Sequence, residues 1–108
     1  MKKLILFTLL LGLGSAVNAS DKGKVMSTYT GNELSSSCVD GDKYKRGLCL
    51  GFVNGVAAMQ KKACIPDNVK FSQLKRVVER YMDTNPDSLH KLASEIVVKA
   101  VVEAWPCK

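Results

Sequence analysis

"RGLCLGFVNGVAAMQKK", Arg46 to Lys62, is the stretch on which the fold turns. From Leu48 to Met59 it is apolar on nearly all sides, with Asn54 the main exception, and a helix of that kind belongs at the centre of a helical body. Gly47, Gly51 and Gly55 recur at every fourth residue, and each lowers helix stability by about 1 kcal/mol relative to alanine. At that spacing they share one side of the helix and extend toward Ala58, drifting by about 40 degrees per step. A side without side chains lets another helix approach backbone to backbone, so the glycines are expected to form a helix-packing groove inside the domain, with direct ligand contact as the alternative. A phosphate-cradling G-x-G-x-x-G loop would need different spacing and a preceding strand.

The flanking sequence supplies further helices. In "YTGNEL", Thr30 is placed as an N-cap with Glu33 three residues on, a capping box, and Tyr29 faces Leu34 as a hydrophobic staple. This predicts a first helix over 31–38. "VDGD" ends it, because Gly41 tolerates turn geometry, and Asp42 caps the second helix, expected over 43–62. Lys61 and Lys62 suit the negative end of that helix's dipole. After "IPDN" a third helix is expected from Ser72, with Leu74, Val77, Val78, Tyr81 and Met82 inward and Lys75, Arg76, Glu79, Arg80 and Asp83 outward. "NPDS" stops it.

The fourth helix, expected over 89–104, has the clearest period: Leu89, Leu92, Ala93, Ile96, Val97, Ala100, Val101 and Ala104, opposite a charged stripe of Lys91, Glu95, Lys99 and Glu103. Val98, Val102 and Trp105 widen its apolar sector. That excess serves either the domain's own core or a homodimer seam on Val98 and Val102. The fold class is therefore all-α, a small bundle of about four helices.

Lys2 and Lys3, the apolar run Leu4 to Leu13 and the small-residue site Val17-Asn18-Ala19 predict a cleaved secretory signal peptide over 1–19. The apolar run is shorter than the roughly 20 residues of a membrane span, so the expected destination is the periplasm without stable membrane insertion. Residues 20–29 lack periodicity and read as a flexible arm, and the domain is expected over 30–108. Cleavage leaves 108 − 19 = 89 residues, a size at which the core alone gives a thin stability margin.

Cys38, Cys49, Cys64 and Cys107 then read as two disulfides. Their intervals lack the C-x-x-C knuckle of a zinc finger. Successive antiparallel helices bring their ends to alternating poles, which places Cys38 near Cys49 and Cys64 near Cys107. Cys49 and Cys64 lie about 20 Å apart along a helix, beyond disulfide reach.

Sixteen basic residues face ten acidic ones in the full chain; without Lys2 and Lys3 the balance is 14 − 10 = +4. The lysines are scattered rather than grouped with aromatics, which argues against nucleic acid and leaves a solvated surface or an acidic partner. His90 is the one histidine, with no free cysteine to pair with it and no G-x-S-x-G or H-E-x-x-H motif. No catalytic, metal or cofactor site is expected, and the chain reads as a binding or inhibitory module rather than an enzyme.

"TGNEL", "GLCLGFVNGV", "ACIPDNVKFSQL", "VVERYMDTNPD" and "VVEAWPC" follow one another in this order. In that combination, from Thr30 to Cys107, the chain resembles the Rap/Tai-type immunity proteins. The resemblance extends to Gly51, Gly55, Pro66, Trp105, Pro106 and the four cysteines. It implies an exported helical protein that binds and neutralises a peptidoglycan amidase toxin delivered by type VI secretion, by non-covalent occlusion of its active site. Toxin-facing residues vary with the toxin, and the candidate contact loop is "VDGDKYKRG", with Asp42, Lys43, Tyr44 and Lys45 as partner-binding candidates. A periplasmic acid-stress chaperone or an envelope structural factor is the competing reading of a small, exported, disulfide-bearing helical protein.

Overall fold

The capping box at Thr30 forms as the sequence requires: Thr30 Oγ1 accepts from the Glu33 N–H at 3.3 Å, and Glu33 Oε1 accepts from the Thr30 N–H at 3.3 Å. In a computed structural model, which describes residues 26–108, this box opens α1 (Gly31–Val39). Three more helices follow, α2 (Lys43–Met59), α3 (Phe71–Thr84) and α4 (Ala93–Ala104), with short 3-10 turns at Met26–Thr28 and Pro86–Ser88. No strand occurs among the described residues. The all-α architecture agrees with the sequence. The signal peptide expected over 1–19 lies outside the described residues.

Each helix turns a strip of residues spaced by four toward a shared core: Leu34 and Cys38 from α1, Cys49, Val53 and Ala57 from α2, Leu74, Val78 and Met82 from α3, and Ala93, Val97 and Val101 from α4. All six pairs of helices touch. Buried Tyr29 closes one end: its hydroxyl donates to the Glu33 carbonyl at 3.0 Å, its ring meets Phe52 at 5.6 Å between centroids, and Ser37 Oγ lies 2.6 Å from the same hydroxyl. Since the single tyrosine proton is given to Glu33, the buried Ser37 hydroxyl acts as donor to Tyr29. Met26–Tyr29 is thus part of the folded body. The arm expected over 20–29 does not reach these residues, and its remainder lies outside the described ones.

Three helix boundaries differ from expectation, and hydrogen bonds account for two of them. The α4 helix begins at Ala93 rather than Leu89, because the Leu89 and Lys91 carbonyls accept from the Asn32 and Gly31 N–H groups at 2.8 and 2.9 Å. Those carbonyls satisfy the first N–H groups of α1, which would otherwise be orphans. The α2 helix stops at Met59 rather than Lys62, where Gln60 Oε1 takes the N–H groups of Lys62 and Ala63 at 2.8 and 2.7 Å. Finally, α3 starts at Phe71 from Lys70, which makes no side-chain cap, rather than from Ser72.

Both expected disulfides are present. Cys38–Cys49 ties α1 to the second turn of α2, and Cys64–Cys107 ties the segment after α2 to the end of the chain. The first is buried and the second exposed. Around the second, the Cys64 N–H donates to the Trp105 carbonyl at 2.9 Å and Ala63 pairs with Pro106 as an isolated antiparallel bridge.

Candidate functional site

The corner between α1 and α2 is exposed yet held by short-range bonds. Asp42 caps α2, its Oδ1 accepting from the Lys45 N–H at 2.9 Å, and Arg46 Nε donates back to the Gly41 carbonyl at 3.0 Å. The Cys38–Cys49 bridge lies immediately beneath. Asp42, Lys43, Tyr44 and Lys45 all stand in solvent, Tyr44 with 78% of its surface exposed, and Val39 at the end of α1 is 54% exposed. The structure therefore gathers the four partner-binding candidates on one first turn. The Asp42 carboxylate is engaged as the cap, which makes it a group that shapes the corner, while Lys43, Tyr44 and Lys45 are free to touch another molecule.

Tyr44 begins a longer surface. Seven residues further, two helical turns on, lies Gly51 on the same side of α2, with Gly47 and Gly55 about it and Met59, 80% exposed, at the far end. This corrects the expected packing groove. Nothing lies within 4 Å of where a Cβ would stand at Gly47, Gly51 or Gly55, and all three are exposed. The reason is rotational: α2 points Cys49, Val53 and Ala57 inward, and a residue two positions away lies about 200 degrees round the helix. The domain's helices pack on the opposite side, so the glycines leave the outer face of α2 as bare backbone. From Gly47 to Gln60 there is no charged residue. Asn54 turns back on its own helix, Nδ2 donating to the Leu50 carbonyl at 2.8 Å.

The glycines that do permit close approach are two others. A Cβ at Gly31 would lie 2.9 Å from the Leu89 carbonyl oxygen and collide with Ile96 Cδ1. At Gly41 it would come within 2.5 Å of both the Ser37 carbonyl oxygen and Lys45 Cβ. No glycine among the described residues has positive φ, so Gly41 is required for space rather than for the turn conformation the sequence suggested. Of the proposed seam residues, Val102 packs against the core, while Val98 borders an open groove beside Lys62 and Lys99. His90 is exposed in the turn before α4.

The family model for the Rap1a immunity proteins matches residues 30–107, from the N-cap of α1 to the last cysteine. The chain belongs to this family. The Rap1a match takes in all four helices, both disulfides and the exposed α2 face. No curated protein and no solved structure gives a significant match. Sequence reasoning missed the two packing glycines of this Rap1a domain. The signal at Gly31 was its place directly after the N-cap, where the first N–H groups need outside acceptors; the identity of the acceptor, the turn at Leu89, is a tertiary fact.

Proposed function

We propose that this protein is a periplasmic immunity protein that binds a peptidoglycan amidase toxin delivered by type VI secretion and inhibits it without covalent change, by occupying its active-site cleft. One observation carries the reading beyond family membership: beyond the exposed Tyr44, the outer face of α2 from Gly47 to Met59 is an uncharged, glycine-lined surface, and no other part of the domain lies against its glycines. Glycines in an exposed helix cost stability, and the cost is offset when a second molecule approaches the backbone closely. The corner at 42–45 supports the same reading. Held by the Asp42 cap, the Arg46 bond and a disulfide, it loses little conformational freedom on binding. Tyr44, a large amphipathic side chain at its tip, is a fitting anchor.

Two disulfides agree with an oxidising compartment. Binding by occlusion asks for no reacting group on this chain, so the reading does not include an enzyme. The test is delivery of each amidase encoded beside this gene to the periplasm of cells with and without the protein. The expected result is protection that needs an intact signal peptide, a stoichiometric complex with one amidase, and inhibition of peptidoglycan cleavage in vitro. An amidase neither bound nor inhibited defeats the proposal. In that event, suppression of client aggregation at acid pH tests the chaperone reading.

A further inference from the structure

The outer side of α4 carries a groove that neither the core nor the α2 face uses. Its first part, about 470 Å³, opens between the end of α2 and α4 and is lined by Lys61, Lys62, Glu95, Val98 and Lys99 among others. A second part, about 380 Å³, shares Lys62, Val98 and Lys99 and runs past Tyr81 to Val102 and Glu103. Val98 and Val102, one turn apart and half-buried, form an apolar floor. Lys61, Lys62 and Lys99 stand on the rim, all exposed and none within an ion pair with a carboxylate of the described residues. Glu95 and Glu103 lie one turn to either side of Lys99, so acidic charge marks the ends of the groove and basic charge its middle.

We propose that this groove receives a short acidic, aliphatic segment of the toxin, with a branched side chain on the Val98 and Val102 floor and a neighbouring carboxylate between the Lys62 and Lys99 ammonium groups. The inference rests on the toxin-binding reading above and adds the chemistry of a contact separate from α2. Charge complementarity decides the occupant. A second copy of this chain gains little: a two-fold axis through the Val98–Val102 floor sets Lys99 of each copy as near to its counterpart as to Glu103 of the other, so repulsion and attraction offset. A carboxylate at the middle of the groove, by contrast, finds Lys62 and Lys99 unpaired. An entirely apolar occupant would leave those lysines beside a surface that offers them nothing.

The probe is a blocked peptide of alternating leucine and glutamate, compared with its leucine and glutamine counterpart, titrated into the mature protein with valine methyl resonances observed. Saturable shifts centred on Val98 and Val102 are expected, with affinity at least about five-fold weaker for the glutamine peptide and falling with added salt. Lys62→Glu with Lys99→Glu should abolish binding of the glutamate peptide while circular dichroism stays helical; both side chains are exposed, and the milder Lys62→Gln provides a second variant with a partial loss. Equal affinity for the two peptides, shifts elsewhere, or indifference to the lysine changes overturns the proposal. So do concentration-dependent Val98 shifts without peptide, which identify a second copy as the occupant. With the amidase itself, capture by wild type and equally by the double variant overturns this inference and leaves the toxin reading standing, whereas no capture by wild type overturns the toxin reading.

Discussion

On their inward sides α2 and α3 follow one plan, and they differ on the sides that face away. Each buries three residues spaced by four, Cys49, Val53 and Ala57 in the one and Leu74, Val78 and Met82 in the other. Outward, α3 carries Arg76, Arg80, Asp83 and the Lys75–Glu79 pair at 3.0 Å. Apart from Phe71 at its first position, 69% exposed, this is how a helix that meets water is built. The α2 helix instead presents three glycines and no charge between Gly47 and Gln60, which lowers its helix propensity by about 3 kcal/mol in sum against alanine. No neighbouring atom recovers that loss within the domain. Folding therefore explains the outer face of α3 beyond Phe71 and does not explain that of α2, and the contrast points to a partner on α2.

The largest expected effect separates the glycines that fold the protein from those that face outward. Gly31→Leu should destabilise by about 3 kcal/mol, since the Leu89 backbone and Ile96 leave no room for a side chain and overpacking costs that much. Gly51→Leu should change stability little, because its Cβ enters open space. Denaturant melts of both variants measure this directly, and a Gly51→Leu loss as large as that of Gly31→Leu would return the outer glycines to the core.

Next in size are the matched inward strips. Val53→Ala and Val78→Ala each remove two methyl-sized groups from fully buried sites and should cost about 2 kcal/mol apiece. If Val53→Ala proves nearly neutral while Val78→Ala does not, the two helices do not share an inward plan and the comparison loses its basis.

Smaller, and of opposite sign, is the effect of alanine on the outer face of α2. Gly51→Ala and Gly55→Ala should each stabilise by up to about 1 kcal/mol, a rise of about 4–8 °C in Tm for a domain this small. The same changes should weaken binding to the proposed amidase. Stabilisation without any loss of binding would mean that the bare backbone is not a contact.

The helical plan was legible because its signals are local: the Thr30 capping box, the i, i+4 strips of α3 and α4, and the pole rule that paired the cysteines. The rotation of α2 was not. An apolar run with small residues every fourth position gives two candidate inward sides, Cys49–Val53–Ala57 and Gly47–Gly51–Gly55, and hydrophobicity alone does not choose between them. The Cys38–Cys49 bridge chooses, because it fixes Cys49 inward and so turns the glycines out. That inference was within reach, since the bridge followed from the pole argument. The start of α4 was out of reach, because it depends on the Leu89 and Lys91 carbonyls being taken by the N-terminus of α1. The corner candidates at 42–45 were legible as an exposed loop, whereas the Val98 groove needs the end of α2 placed beside α4.

The smallest expected effect lies on the outer face of α3. Lys75 and Glu79 pair at 3.0 Å with both side chains one-quarter exposed, and exposed i, i+4 pairs contribute about 0.3–0.5 kcal/mol at most. Here the lysine precedes the glutamate, the weaker of the two orders, and alanine is a slightly better helix former than lysine. Lys75→Ala should therefore leave stability within about 0.3 kcal/mol of wild type, with what difference remains fading at high salt as screening removes the pair. Affinity for the proposed amidase should be unchanged, because the charged part of this face, beyond Phe71, is built for water rather than for a partner. Measuring Lys75→Ala and Gly51→Leu side by side for folding and binding gives the comparison its sharpest form: both should fold normally, and only the glycine variant should bind poorly. If Lys75→Ala weakens binding and Gly51→Leu does not, the partner sits on α3 and the roles assigned to the two outer faces must be exchanged.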